Sequence, residues 1–255
     1  MTTFLLTIEY DGTNYHGWQV QAMGHSSVQE AIENALAHIT GHPRRLHASG
    51  RTDAGVHALA QTAHFAVDQS SLTPLEFTFA LNSLLPPDIR ILSCVPVPSD
   101  FHARFSAVRK TYRYCYNTRS IAPAIGRQYA WHVKKSLDVA KMQSAAQYLV
   151  GEHDFAAFEG AGSPRPHTLR TIFETHVIPE NDRILFTITG NGFLRFMARN
   201  IAGTLAEIGT GKREPSELKS ILDSADRTLA GITAPPHGLF LVAVEYDPDP
   251  RKNTV

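Results

Sequence analysis

The order in which periodicities change along the chain constrains its fold more than any other feature. Residues Phe4 to Glu9 alternate as a strand does, and Ser27-Val28-Gln29-Glu30 reads as a capping box opening a helix. Val28, Ile32, Ala35, Leu36 and Ile39 then keep one apolar face at helical spacing to about Thr40. Past a Gly-His-Pro break come two strand-like runs, Arg45 to Ser49 and Leu59 to Val67. A helix opened by Pro74 runs to Leu85, and a strand spans Ile89 to Val97.

The second half repeats this order with different residues. A strand from Arg109 to Tyr116 precedes a helix from Asp138 to Val150, and strands Ile172 to Ile178 and Ile184 to Thr189 flank an Asn181-Asp182 turn. A helix from Phe193 to Ile208, another opened by Pro215, and a strand from Leu239 to Tyr246 complete it. Two β-α-β-β-α-β orders in tandem predict an α+β chain of two ferredoxin-like units. Pro96 and Pro98 interrupt the periodicity and place the boundary near Val97 to Phe105, giving units 1–100 and 101–255. Sheets joined edge to edge would leave a cleft at their junction, although alternation does not itself require the joining.

Composition narrows the function classes. At 255 residues with 43% hydrophobic content the chain can bury a core, and Lys+Arg at 24 cancels Asp+Glu at 24. A general polyanion binder would carry a high isoelectric point, so nucleic-acid contact must rest on local patches. Cys94 and Cys115 fit neither a disulfide framework nor a zinc site and suit a reducing, cytoplasmic setting. No apolar run approaches membrane-spanning length.

Chemistry concentrates in Gly50-Arg51-Thr52-Asp53-Ala54-Gly55-Val56-His57. One carboxylate sits there among residues too small to shield it, and the flanking glycines let another molecule approach closely. Asp53 and Arg51 fall on one side of an extended segment. An Asx-type turn closing a hairpin would use the same residue types for local reasons, so the segment alone leaves both readings open.

The segment resembles the signature of the tRNA pseudouridine synthase A family, and further segments match in order. They are Glu9-Tyr10-Asp11-Gly12, Gly17-Trp18-Gln19, Phe101-His102-Ala103-Arg104-Phe105-Ser106, Tyr112-Arg113-Tyr114, Gly151-Glu152-His153-Asp154-Phe155, Asn191-Gly192-Phe193-Leu194, Arg199-Asn200-Ile201-Ala202-Gly203 and Ala234-Pro235-Pro236-His237-Gly238-Leu239. The resemblance implies one long antiparallel sheet with helices on one face and a central active-site cleft. It implies isomerisation of uridine to pseudouridine at positions 38 to 40 of the tRNA anticodon stem-loop, by a homodimer. It makes Asp53 the catalytic residue, pairs Arg199 with it, sets Tyr112 against the target base, and puts Arg51 and Leu241 at the substrate.

From the residues themselves, Arg104, Arg109, Lys110 and Arg113 interleave with Phe101, Phe105, Tyr112 and Tyr114. Cations track phosphates and aromatic faces stack unpaired bases, which makes Arg104 and Arg113 candidate RNA contacts. An ordinary half-buried strand explains the same pattern, and Tyr114 is assigned to the core. Spacing puts Phe193, Phe196, Met197, Ile201, Leu205 and Ile208 on one helical arc, with Arg195 and Arg199 one turn apart outside it.

Thirteen histidines are scattered without ligand spacing, so no metal is expected. Gly209-Thr210-Gly211-Lys212 lacks the earlier glycine and following Ser or Thr of a phosphate loop and reads as a helix C-cap. Gly160 to Pro166 is a loop by composition, and its family counterpart lies near RNA. Isomerisation gains and loses no atom, so no cofactor is required. A single aspartate can attack a carbon or remove the C2′ proton, and the sequence does not choose between nucleophile and base. The alternative is a non-catalytic RNA-binding protein of tandem ferredoxin-like units, in which Asp53 and Arg199 would be gratuitous.

Overall fold

A computed structural model describes residues 1–21, 24, 26–68, 72–160, 162 and 167–253. The elements in chain order are β1 (Thr2–Tyr10), α1 (Val28–Thr40), β2 (His47–Ala48), β3 (His57–Val67), α2 (Pro74–Leu84), β4 (Ile89–Val97), β5 (Ala107–Asn117), β6 (Trp131–His132), α3 (Val139–Gln147), β7 (Gly151–Asp154), β8 (Leu169–Glu180), β9 (Arg183–Gly190), α4 (Met197–Gly209), α5 (Glu217–Ser224) and β10 (Leu239–Tyr246). The architecture is α+β. Contacts divide the chain into two compact units, Met1–Arg109 with Leu241–Val255, and Lys110–Phe240.

In the first unit the strands hydrogen-bond in the order β4-β1-β3-β10, with β2 also on β3. The β1 pairings with β3 and β4 and the β2 pairing with β3 are antiparallel. The helices start where their caps put them. Ser27 Oγ accepts the Glu30 N–H at 3.2 Å and opens α1, whose Val28, Ile32, Ala35 and Leu36 are buried. Gly41 ends it at φ +73°, a conformation open to glycine. A reciprocal capping box opens α2: Thr73 Oγ1 accepts from the Glu76 N–H, and the Glu76 carboxylate accepts the Thr73 N–H at 2.7 Å. β10 is held by its last residue, whose hydroxyl lies 2.6 Å from Thr62 Oγ1 and donates to the Ala103 carbonyl at 2.9 Å.

In the second unit the order is β5-β9-β8-β7, antiparallel throughout, while β6 runs parallel to β5. Direct pairing puts Tyr112, Tyr114 and Tyr116 opposite Ile188, Phe186 and Ile184 on one face, all buried. Arg113 and Cys115 lie on the other face, opposite Thr187 and Leu185. Asp138 Oδ1 accepts the Lys141 N–H at 3.0 Å, so Asp138 caps α3 rather than joining it.

The predicted helix from Phe193 begins four residues late. Phe196 sits at φ +60° as the residue before α4, and the Met197 N–H closes a turn onto the Leu194 carbonyl at 3.2 Å. Packing explains the delay. A Cβ at Gly160 would lie 2.3 Å from the Phe196 ring, so the ring rests directly on that glycine's backbone. Phe193 and Phe196 therefore supply the apolar spacing of a helix without belonging to one, and Arg195 lies outside α4 in the preceding turn. The Gly209–Lys212 segment is a C-cap as expected: the Thr210 N–H reaches Ala206 O, and Gly211 adopts φ +73°.

Candidate active site

The carboxylate segment lies wholly in the first unit and is held by backbone packing. A Cβ on Gly12 would fall 2.0 Å from the Val56 carbonyl oxygen, and one on Gly17 would fall 2.6 Å from Thr52 O. No other residue could let the end of β1 and its following loop press so closely on residues 52–56. Gly17 also takes φ +92°, where other residues are strained. The contacts are cemented by hydrogen bonds: Trp18 N–H to Thr52 O at 3.1 Å, Gly55 N–H to Tyr15 O at 3.3 Å, and Gly12 N–H to His57 Nδ1 at 3.0 Å.

Buried side chains complete the clamp. The Tyr10 and Thr52 hydroxyls are hydrogen-bonded at 2.7 Å, and Gln61 Nε2 donates to Gly50 O at 2.9 Å while its Oε1 accepts from Ser49 Oγ at 2.7 Å. Burial pushes the Tyr10 phenol well above its ordinary range, so it stays a neutral hydrogen-bonding group. Within this frame the Val56 N–H turns back to the Asp53 carbonyl at 3.1 Å, leaving Asp53 half-buried and Arg51 exposed. A half-buried carboxylate on a loop fixed at so many points is suited to act on another molecule. In the same unit Arg104 is exposed, with its guanidinium carbon 5.5 Å from the Phe105 ring centre, and Leu241 is buried in β10.

The second unit builds its side around α4. Arg199 Nε donates to Ala234 O at 2.9 Å, and the Ala234 N–H returns to Arg199 O at 3.1 Å. The approach depends on Gly203, where a Cβ would lie 1.7 Å from Ile232 O. Asn200, fully buried, donates to Phe158 O at 2.8 Å and accepts from Thr233 Oγ1 at 2.6 Å and Arg227 at 3.0 Å. The Arg199 guanidinium carbon lies 5.0 Å from the Phe196 ring centre, a cation–π contact.

The Thr233–Pro235 segment also takes the Tyr114 hydroxyl, which donates to Pro235 O at 2.8 Å. Burial raises the Tyr114 phenol far above its usual value, with the Arg199 charge opposing. Tyr114 is thus a core residue, as expected. Tyr112 is 8% exposed, its ring meeting Phe193 edge-on at 4.8 Å. Arg113 is half-buried, and its Nε has no hydrogen bond among the described residues.

Asp53, Arg51, Arg104 and Leu241 therefore fall in the first unit, and Tyr112, Arg113 and Arg199 in the second. The loop Gly160–Pro166 lies, apart from Gly160 and Gly162, outside the described residues. Sequence reasoning missed the supports: Tyr10, Thr52 and Gln61 under the carboxylate, Phe196 and Ala234 around the arginine. The available signal was glycine placement, since Gly12, Gly17 and Gly203 each stand in a matching segment and each permits a close backbone approach. Among the described residues no group of three His, Cys, Asp or Glu stands where it could hold a metal ion.

Comparison with known proteins identifies the family. The family model described as tRNA pseudouridine synthase matches residues 6–106 and 145–247. "tRNA pseudouridine synthase A" of Caldicellulosiruptor saccharolyticus is 47% identical over 246 residues, covering 96% of this chain and all of the relative. The protein so named in Geotalea uraniireducens is 47% identical over 248 residues with the same coverage. That of Coxiella burnetii is 44% identical over 250 residues, 98% of this chain and 95% of the relative. The chain belongs to the tRNA pseudouridine synthase family, a family of isomerases. The alternative of a non-catalytic RNA-binding protein is not favoured.

Proposed function

We propose that this protein isomerises uridine to pseudouridine at positions 38 to 40 of the tRNA anticodon stem-loop, with Asp53 as the catalytic carboxylate. The observation that carries the reading is the clamped Asp53 loop, whose backbone is fixed by Gly12, Gly17, Trp18 and Gln61 around a half-buried aspartate. In the reaction the N1–C1′ bond breaks, the uracil turns, C5 bonds to C1′, a proton leaves C5 and a proton joins N1. Atoms balance with no oxidant, reductant or group donor. Asp53 serves either as nucleophile or as the base that takes the C2′ proton.

The other residues divide the remaining tasks. Reaching the uridine requires taking it out of its stack. Arg51 and Leu241 contact the substrate near Asp53, and Arg104 and Arg113 hold phosphates. Tyr112 stacks on the detached uracil and keeps it from escaping. Arg199 is the cation assigned to offset the desolvation of Asp53 once RNA is bound.

The protein acts as a homodimer in the cytoplasm. No helix among the described residues is long and apolar enough to cross a membrane. Incubation with unmodified tRNA in the presence of a chelator, followed by mapping of pseudouridine, tests the activity. Absence of pseudouridine at positions 38 to 40 would refute it, and sedimentation of the free protein as a monomer would refute the dimer.

A further inference from the structure

A second feature of the first unit takes no part in the Asp53 clamp. His47 on β2 and His64 on β3 stand opposite one another, their rings stacked at 5.1 Å and 22°. His102 meets His64 edge-on at 4.7 Å, lies 5.7 Å from His47, and is 4.4 Å from Phe105. The four rings form one contiguous aromatic surface, with His64 beneath and Phe105, 76% exposed, at its outer end. A single exposed phenylalanine is ordinary, but a row of contacting rings ending in one, beside an exposed arginine, is not.

The surface is rigidly built. Ala103 N–H donates to His64 Nδ1 at 3.1 Å, Arg104 N–H donates to His102 Nδ1 at 3.1 Å, and Ser106 N–H closes the turn onto His102 O at 2.9 Å. The Tyr246 hydroxyl holds Ala103 O from the other side. Because backbone amides occupy these Nδ1 atoms, His64 and His102 are neutral, one proton each remaining on Nε2. Burial, with the neighbouring histidines, pushes the His64 pKa down to about 4, and burial lowers His102 as well. Uncharged rings present π-faces rather than cations, and the three histidines are not arranged to share a metal.

We propose that the exposed faces of His47, His102 and Phe105, with Arg104 beside them, stack an unpaired base of the RNA substrate other than the reacting uridine. Flat neutral rings at an apolar end flanked by one guanidinium match the chemistry of a nucleotide: the base takes the rings and its phosphate the cation. This rests on the proposed tRNA activity. The surface gives the enzyme a hold on the loop that is independent of the base being isomerised.

The test compares Phe105→Ala, Phe105→Leu and Phe105→Trp for KM and kcat on unmodified tRNA, and for direct binding of a labelled anticodon stem-loop RNA. Phe105 is exposed, so melting temperatures should stay near the parent. The expectation is that Ala and Leu weaken binding and raise KM by about five- to hundredfold with kcat moving far less, while Trp stays near the parent. If Leu performs as well as Phe, the contact is apolar without stacking and the proposal fails. It also fails if all three bind RNA like the parent, including the case where Phe105→Ala instead dissociates the protein in sedimentation. Should the parent itself form no pseudouridine, the functional reading fails, yet the binding comparison still decides the stacking surface.

Discussion

The two halves of the proposed catalytic machinery are held by different means. Around Asp53 the backbone does the holding: two glycines admit contacts that no side chain would allow, and buried hydroxyl and amide groups tie residues 50–55 to β1, β3 and the loop after β1. Around Arg199 the functional side chain is itself gripped, by a carbonyl at its Nε and by a phenylalanine ring beside its guanidinium. The contrast suits the chemistry. A carboxylate that attacks or abstracts gains precision when the chain around it is fixed, whereas a cation that only offsets charge can be oriented through its own donors. Damage to the first half should therefore act through geometry, and damage to the second through electrostatics.

The largest effect should come from Asp53→Asn. It keeps the shape, so tRNA affinity should change little, while pseudouridine formation falls by about 10⁴-fold or more, as loss of a catalytic group does. Tritium release or sequencing-based mapping would measure it, and near-parental turnover would break the assignment. Arg199→Ala should come next, lowering turnover roughly 150-fold, or about 3 kcal/mol, by leaving the carboxylate uncompensated in the filled site. If Arg199 offsets the catalytic carboxylate as proposed, the acid limb of the pH–rate profile should move upward in this variant. Arg195→Ala is the control: it removes an exposed arginine in the turn before α4 and should leave rate and profile unchanged. Equal behaviour of the two variants would break the electrostatic side of the comparison.

Gly17→Ala tests the geometric side. Its Cβ would press on Thr52 O, in a backbone conformation unfavourable to alanine, so the Asp53 loop must shift. A displacement of about 1 Å costs on the order of a hundredfold in rate, and here the pH profile should keep its shape while kcat falls. A smaller effect is expected from Thr52→Val, which leaves the buried Tyr10 hydroxyl without its 2.7 Å partner. Denaturant unfolding should register about 1–3 kcal/mol of lost stability.

The last concerns His64, remote from this contrast. Its folded pKa of about 4 lies below the ordinary 6.5, so below pH 6.5 the unfolded chain binds a proton that the folded chain refuses. That contribution to stability is present above pH 6.5 and is lost as pH falls toward 4. His64→Asn, which keeps an acceptor for the Ala103 N–H, should flatten this part of the melting-temperature profile.

How far the sequence could be read depended on whether the cause was local. β4 and β10 fall where alternation places them, Ile89–Val97 and Leu239–Tyr246, and α2 starts at its capping box and Pro74. The start of α4 was misread because Phe193 and Phe196 satisfy helical spacing for another reason, the packing of Phe196 on Gly160. β6 and β7, two and four residues long, carry too few side chains for any period to appear. Asp53 stood out because its setting is written in consecutive residues. The ring surface did not, since His47, His64 and His102 come together only through strand pairing and the Ala103 turn.

Tyr246 gives the first unit a temporal property. Its hydroxyl ties Thr62 to Ala103, and the strand that carries it is made only after the whole second unit. At about 5–20 residues per second, β1 to β4 emerge from a ribosome and then wait on the order of ten seconds or more for their missing neighbour. Throughout that interval one edge of β3 has no β10 to pair with, open to wrong partners and to chaperones. Folding of the half that bears Asp53 thus waits until the chain beyond the second unit has been made.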